Sequence, residues 1–129
     1  MERGIPLLDS KTQTFSTYVT QVYRLKNNDI AVVTSGYGIM LKKENAEVCY
    51  AMKGEVENLK FIHKILEDKQ DRLWIILENG KLYRADKKGK LTKQIPGAET
   101  LEAKDIRQDN KGNIYLSNKN AGIYLLKAA

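Results

Sequence analysis

The sequence predicts an all-β fold built from repeated antiparallel hairpins, and three observations lead to this prediction. The run 73–77 is short, rich in β-branched and aromatic residues, and apolar on both of its alternating faces, which is typical of an inner strand. The polar turn residues 68–71 precede it, and Asn79 and Gly80, a strong hairpin signal, follow it. Weaker copies of the whole stretch 65–84 lie on either side.

The central repeat continues as a meander of short strands. Residues 81–85 return as a strand, residues 86–89 form a second turn, and residues 90–95 form another strand that the Pro-Gly pair 96–97 ends. With the segment 61–66 in front, this part of the chain is predicted to hold four antiparallel strands.

A second copy follows the central repeat at a fixed distance. Residues 109–116 match residues 68–75 at an offset of 109 − 68 = 41, which puts Tyr115 at the position of Trp74. Further along, the segment that begins at Gly122 matches the one that begins at Gly80, provided that the second copy carries one extra residue.

Upstream, the match is looser. Residues 22–33, followed by residues 38–41, form a copy in which Ala31 replaces the aromatic residue and the turn is shortened. Residues 4–9 match the closing half of one more unit. Self-similarity near 40 residues with four strands per unit is typical of a β-propeller.

The repeat therefore predicts that the chain is a single partial propeller of about three four-stranded blades. Blades bury both faces against their neighbours, so we expect the open fragment to belong to a larger ring, to be completed by a second copy, or to lose order at its ends. The predicted parts are 1–18 (the last two strands of a preceding blade, with Phe15 and Tyr18 in its core), 19–58 (a blade), 59–100 (a blade) and 101–129 (an incomplete blade of three strands).

An α-helix over residues 55–68 is the alternative for one segment. Apolar residues recur there every three or four positions from Val56 to Leu66, which is a helical spacing. The repeat argues against a helix, because the equivalent segments 19–25 and 104–108 are too short and too poorly patterned to be helical.

Composition excludes several classes of protein. The 129 residues are 42% hydrophobic, which is enough for one core, and no apolar run could span a bilayer. The N-terminus does not have the pattern of a signal peptide, so a role outside the cytoplasm would make this chain part of a longer protein. The formal charge of +6 could attract nucleic acid, but the lysines fall at predicted turns without an aromatic platform. We therefore expect neither a nucleic-acid partner nor membrane contact.

Few residues could carry chemistry. His63 is the only histidine and Cys49 the only cysteine, so no zinc site with several histidines and no internal disulfide can form, and Cys49 is predicted to be a buried hydrophobic residue on a strand. The glycines 36 and 38 around Tyr37 lack the helix and the downstream acid of a dinucleotide fingerprint. The sequence predicts no catalytic residue, no metal site and no cofactor.

The central motif resembles the repeat of the two-component regulator propellers. The residues that carry the resemblance are 65–68 (Ile-Leu-Glu-Asp), 73–75 (Leu-Trp-Ile) and 79–84 (Asn-Gly-Lys-Leu-Tyr-Arg). The third unit, 106–116 with 122–124, is similar with a tyrosine for the tryptophan, and residues 8–15 resemble the linker that follows the glycine strand in that family. The resemblance covers nearly the whole chain and is weakest in the first full unit.

This resemblance implies a sensor. Such propellers form the extracytoplasmic sensor region of bacterial hybrid two-component histidine kinases, so the resemblance implies a periplasmic part of a membrane-anchored sensor that recognises oligosaccharides and signals to a kinase absent from this chain. Its repeat residues are structural, so the ligand-binding residues stay unknown. Tyr37, Tyr50 and Tyr83 could stack on a sugar, or could anchor a protein partner if the chain is instead a non-enzymatic interaction scaffold.

A second resemblance concerns the turns. Residues 68–74 and 109–115 are also similar to the aspartate box of sialidase propellers, whose enzymes add an arginine cluster, acid/base carboxyls and a tyrosine nucleophile. The candidates here recur at repeat positions and form no separate constellation, which predicts a protein that is not an enzyme. These candidates are Arg24, Arg72, Arg84, Arg107 and Tyr115.

Overall fold

The computed structural model describes residues 19–34, 38–46, 49–52, 54–92, 102–119 and 122–127. Within these residues the chain forms ten β-strands and one short 3-10 helix, at Glu55–Asn58, so the all-β prediction is confirmed. The strands are β1 (Val19–Arg24), β2 (Ile30–Thr34), β3 (Gly38–Lys42), β4 (Cys49–Ala51), β5 (Ile62–Glu67), β6 (Leu73–Leu77), β7 (Leu82–Ala85), β8 (Ala103–Gln108), β9 (Ile114–Asn118) and β10 (Gly122–Leu126). Residue contacts divide the chain into two compact units, Met1–Phe61 and Ile62–Ala129.

The first unit contains one four-stranded antiparallel sheet in the order β1-β2-β3-β4, which is the strand number predicted for a blade. Its middle strands carry the core, because β2 and β3 are buried on both faces at Ala31, Val32, Val33, Ile39 and Met40. Strand β1 instead alternates between half-buried and exposed residues. The inner strands thus have the continuous apolar pattern that burial on two faces requires.

The α-helix considered for residues 55–68 is wrong. Only Glu55–Asn58 is helical, as a single 3-10 turn that stops because Leu59 is extended, with φ −80° and ψ 129°. Strand β5 then begins at Ile62. The helical spacing arises because two different elements each contribute buried apolar residues to the same short stretch of sequence.

The second unit contains two three-stranded antiparallel sheets, β5-β6-β7 and β10-β9-β8. A fourth strand was predicted for the β5-β6-β7 sheet, and the structure describes the beginning of it. Ala85 and Leu91 form a single bridge there, and the Thr92 N–H donates to the Arg84 carbonyl at 2.7 Å. The second sheet has the three strands predicted for an incomplete blade. Each sheet thus has the antiparallel meander order of a propeller blade, which is consistent with the predicted partial propeller.

Strand register repeats three times without a slip. Trp74 pairs with Leu66 and Arg84, and Tyr115 pairs with Arg107 and Leu125, which places every member of the second set 41 residues after the first. The first sheet repeats the same pairing at Ala31, with 74 − 31 = 43. The bulge in the first strand of each sheet also falls at equivalent positions.

This register corrects two predictions. The third repeat contains no extra residue. Gly122, which pairs with Asn118, is equivalent to Lys81 in the second repeat, and Gly80 stands one residue before that position. The turn of the first repeat is not shortened either. All three turns between first and second strands contain five residues.

Gly80 marks a close approach between the two sheets of the second unit. Its φ is 87°, and a Cβ at this position would lie 2.8 Å from the Cα of Glu102. The Ala103 N–H donates to the Gly80 carbonyl at 3.1 Å, so the hairpin between β6 and β7 touches the beginning of β8. Gly122 has a similar φ of 78° with no atom within 4 Å of a Cβ.

Several predictions fall outside the described residues. They are the two strands of residues 1–18 with Phe15 and Tyr18, the glycine and tyrosine at positions 36 and 37, and the end of the fourth strand at 93–97. Cys49 and Tyr50 lie on β4, and their side chains are also outside the described part of the structure.

Candidate functional site

Five turns in the described chain share one backbone geometry. They span residues 25–29, 68–72, 77–81, 86–90 and 109–113, and in each the N–H of the first residue donates to the carbonyl of the fifth at 2.9–3.0 Å. The N–H of the fourth residue donates back to the first carbonyl at 2.8–3.1 Å. The fourth residue has a positive φ in every turn, and these residues are Asn28 (70°), Asp71 (62°), Gly80 (87°), Gly89 (81°) and Gly112 (92°).

An aspartate opens three of these turns and caps their backbone. Oδ1 of Asp68, Asp86 and Asp109 accepts the N–H groups of the third and fifth turn residues at 2.8–3.0 Å. Such side-chain bonds replace the missing backbone partners of a turn. Leu25 and Leu77 open the other two turns, where Oδ1 of the third residue, Asn27 or Asn79, accepts the fifth N–H at 3.1 or 3.0 Å instead.

Asp68 also binds the tryptophan that identified the repeat. Its Oδ2 accepts Trp74 Nε1–H and Arg72 Nε–H, both at 2.8 Å, and the carboxylate is fully buried. Burial alone would raise the pKa of Asp68, but the hydrogen bonds from the Arg72 backbone, the Trp74 indole and the Arg72 guanidinium outweigh it and lower that pKa. The carboxylate therefore stays ionised at neutral pH and accepts several hydrogen bonds at once.

Asp109 makes the equivalent contacts to Tyr115. Its Oδ2 accepts the Tyr115 hydroxyl and the Asn113 amide, each at 3.0 Å. The Asn113 amide contributes most to holding the pKa of Asp109 down at about 2, against the opposing effect of burial. The Asp109 carboxylate in turn raises the pKa of Tyr115. The two aromatic residues thus donate to equivalent aspartates, which agrees with the alignment of residues 109–116 with residues 68–75.

Within the second unit the two sheets share one apolar core. Trp74 lies in it together with residues of both sheets, and all of the buried members are at most 3% exposed. The buried members are Trp74, Ile76, Ala103, Ile106, Ile114 and Leu116. At the edge of this core Lys64 forms an ion pair with Asp105, and the Lys69 N–H donates to Gln108 Oε1 at 2.9 Å. The sequence analysis missed both contacts, although Lys64 and Asp105 stand one repeat apart.

The outer face of the β8-β9-β10 sheet carries the same positions, and no sheet among the described residues covers it. Tyr115 is 37%, Ile123 is 73% and Leu125 is 44% exposed. Their equivalents in the preceding sheet are Trp74, which is 2% exposed, and the half-buried Leu82 and Arg84. Large exposed apolar residues on one face of a sheet are typical of an interaction surface.

The arginines considered for catalysis do not share a repeat position, so the expectation that they recur is wrong. Arg72 and Arg84 lie over the Trp74 ring, 5.9 and 5.3 Å from its centroid. Arg107 lies on β8 with Nε 4.0 Å from Asp105, and Arg24 ends β1 in the first unit. In the neighbouring repeat, Glu67 stands at the position of Arg24, and Asn113 at that of Arg72. Leu125 likewise stands at the position of Arg84, and Leu66 at that of Arg107.

The remaining candidates lie apart from one another. His63 is exposed at the bulge of β5, and Tyr83 is half-buried on β7. Among the described residues no group of three or more histidine, cysteine, aspartate or glutamate side chains is placed to share a metal ion. No helix in that part of the chain has the length and hydrophobicity of a membrane span.

Two open depressions occupy equivalent places in two repeats, each between the turn that joins the first two strands of its sheet and the turn that follows the third strand. One, of about 380 Å³, lies in the second unit, and the other, of about 350 Å³, lies in the first unit. Polar and charged side chains line both. The first is lined by Gln70, Asp71, Arg72, Asp86, Lys87 and Lys88, and the second by Arg24, Asn28, Ile30, Lys42 and Glu44.

Comparison with known proteins gives a structural likeness and no match in sequence. No family model matches the chain, and no curated protein sequence matches it. The crystal structure of an extracellular domain, from a protein described as the hybrid two-component system BT3049 of B. thetaiotaomicron, matches 92% of this chain with a TM-score of 0.57 and 22% identity. At this identity the likeness supports the fold. The match spans 17% of that chain.

Proposed function

We propose that this chain is part of the ligand-sensing propeller of a two-component system sensor and that the sensed ligand is a carbohydrate. The observation that carries the proposal is the structural likeness to the extracellular domain of a hybrid two-component system over 92% of the chain. The repeated register of three sheets supports it, since it is the regularity that a propeller requires. The chain would then lie in the periplasm and signal to a membrane-anchored histidine kinase.

The depression of the second unit is the surface best suited to such a ligand. The carboxylate of Asp68 is saturated by four N–H donors, so the repeat motif itself offers nothing to a ligand. Beside it, Gln70, Lys87 and Lys88 present amide and ammonium groups that can bind sugar hydroxyls or carboxylates. The ion pair between Lys87 and Asp71, at 3.2 Å, is exposed and is easily displaced.

Thermal-shift measurements with a panel of neutral and acidic oligosaccharides test the ligand class. A saccharide at about 100 times its Kd should add about 2.7 kcal/mol to the stability of the protein. Lys87→Ala should reduce the shift, whereas Lys111→Ala, at an exposed turn of the third sheet outside the depression, should leave it unchanged. If no saccharide raises the melting temperature, the carbohydrate proposal is wrong.

The gene tests the sensor role separately from the ligand. A membrane-spanning segment and a histidine kinase encoded in the same reading frame are expected. Their absence would contradict the sensor proposal, whatever ligand the depression binds.

The second candidate is a non-enzymatic interaction scaffold. The exposed side chains of Tyr115, Ile123 and Leu125 favour it, because they form an apolar surface on one sheet face. A scaffold would show no stabilisation by saccharides and would form a complex through this face. The two candidates therefore differ in the thermal-shift experiment.

A further inference from the structure

Two guanidinium groups lie over one indole ring in the second unit. The Cζ atoms of Arg72 and Arg84 are 5.9 and 5.3 Å from the centroid of the Trp74 ring. Both remain accessible, since the Arg72 side chain is 33% exposed and Arg84 is half-buried. Burial and then the positive charge of Arg72 lower the pKa of Arg84, against a weaker opposing effect of Asp68. The surroundings of Arg84 thus disfavour its positive charge unless an anion binds close to it.

The buried carboxylate of this site satisfies one arginine and not the other. Arg72 donates from Nε to Asp68 Oδ2 at 2.8 Å and from Nη2 to Gln70 Oε1 at 2.7 Å. Asp68 accepts four N–H groups in total, none of them from Arg84. Among the described residues no carboxylate forms an ion pair with Arg84, whose Nε makes a long hydrogen bond of 3.5 Å to Thr92 Oγ1. Its terminal N–H groups are therefore available to a ligand.

The repeat requires neither arginine. In the third sheet the two positions are held by Asn113 and Leu125, and in the first sheet by Asp29 and Leu41. The Asn113 amide donates to Asp109 at 3.0 Å, so the equivalent turn closes without a guanidinium group. The second repeat thus adds two cations to a framework that forms without them.

The acidic side chains of the adjoining depression are already engaged. Oδ1 of Asp86 accepts the N–H groups of the third and fifth residues of its turn at 2.9 and 3.0 Å. Asp71 forms an ion pair with Lys87 at 3.2 Å. With Arg72 and Lys88, three cationic side chains and two carboxylates line this depression. An anionic ligand would therefore meet more positive than negative charge there.

We propose that Arg72 and Arg84 bind a carboxylate or sulfate group of an acidic saccharide. A guanidinium group is planar and presents its N–H donors as a fork that matches two oxygens of such a group. The Thr92 hydroxyl beside Arg84 can donate a further hydrogen bond. Because Arg72 also lines the depression of the second unit, the sugar ring would occupy that depression. The saccharide rests on the proposed function, whereas the anion site rests on the arginines alone.

Calorimetric titration of the full chain with a uronic-acid trisaccharide and with its neutral methyl ester tests the proposal. We expect the acid to bind about tenfold or more tightly than the ester. Arg84→Leu should raise the Kd of the acid about tenfold or more and leave that of the ester unchanged. Arg84→Lys keeps the charge without the fork and should lie between them. Lys81→Leu removes the same charge at the opposite end of the sheet and should bind as the unaltered protein does.

The stability of the free protein separates ligand binding from a structural role of Arg84. Leucine holds the equivalent position in the other two sheets, so Arg84→Leu should remain folded, with an unchanged or higher melting temperature in the absence of ligand. A lower melting temperature together with undiminished binding of the acid would mean that Arg84 serves only to support the Trp74 ring. That result overturns the proposal.

Titration with inorganic sulfate separates the failure of this proposal from the failure of the proposed function. Binding of sulfate and of the acid, both weakened in Arg84→Leu, supports the anion site and its ligand. Binding of sulfate without either saccharide overturns the carbohydrate ligand and leaves an anion site. Equal binding of the acid and the ester keeps the carbohydrate and overturns the anion site. If none of the three binds, both proposals are wrong.

Discussion

Replacement of Asp68 by alanine is expected to lower the free energy of unfolding by about 3–5 kcal/mol, because it leaves several buried donors without an acceptor. The carboxylate is fully buried and accepts four N–H groups at 2.8–2.9 Å, one of them from the Trp74 indole and one from a charged guanidinium. For a domain of this size the loss corresponds to about 10 °C or more in melting temperature. Asp68→Asn keeps one carbonyl acceptor and should give an intermediate loss.

A double-mutant cycle isolates the bond between the carboxylate and the indole. Trp74→Phe keeps an aromatic ring and removes the N–H donor, so we expect it to lower the free energy of unfolding by about 1–3 kcal/mol. The pair of Asp68→Ala and Trp74→Phe should then lose about 1–2 kcal/mol less than the sum of the two single losses. Strict additivity would mean that the bond contributes nothing of its own.

Urea unfolding followed by far-UV circular dichroism is the appropriate assay, because Trp74 is the only tryptophan and fluorescence would be lost in one variant. Asp109→Ala is the matched control, since it removes the same capping bonds at an exposed turn. Its loss should be clearly smaller. If Asp68→Ala costs less than about 1 kcal/mol, or as little as Asp109→Ala, the account of the buried carboxylate is wrong.

Three further predictions concern the same unit. Gly80→Ala should lower the stability more than Gly122→Ala, because both residues have a positive φ but only the first would also press a Cβ against backbone; urea unfolding of the two variants checks this. Tyr115→Phe should cost less than Trp74→Phe in the same assay, since the Tyr115 hydroxyl bond is exposed. The lowered pKa of Asp68 contributes stability that is present above the unfolded pKa of about 3.9 and is lost as the pH falls through the folded pKa, so below about pH 4 the unaltered protein should lose stability more steeply than Asp68→Asn.

The sequence was sufficient for the strands and their pairing wherever a residue marks its position chemically. The continuous apolar run 73–77, the hairpin residues before Lys81 and the match of Trp74 with Tyr115 all have the expected structural consequence. These signals are local, since an apolar strand or a capping aspartate acts on its immediate neighbours. The all-β fold and the repeat could therefore be predicted from the residues alone.

The errors arose where a different residue performs the same task. The turn that begins at Leu25 has the geometry of the aspartate turns without an aspartate at its first position, with Asn27 supplying the acceptor, and it was therefore predicted to be shorter. Gly38 and Gly122 are each the first residue of the third strand of their sheet. Gly80 instead stands one residue before the equivalent position, which Lys81 holds. Alignment by residue type introduced an insertion that the register does not contain.

The candidate site was beyond prediction for a physical reason that the two depressions illustrate. Their places are equivalent because the turns around them repeat, but their side chains do not. Where the second unit presents Asp71 and Lys87, the first presents Asn28 and Glu44, so the charge at the turn after the third strand is reversed. A repeat detected by its structural residues thus locates such surfaces without describing their chemistry. If the depressions bind ligands, Lys87→Glu should bring the second unit closer to the first in its preference for charged saccharides, and an unchanged preference would show that recognition lies elsewhere.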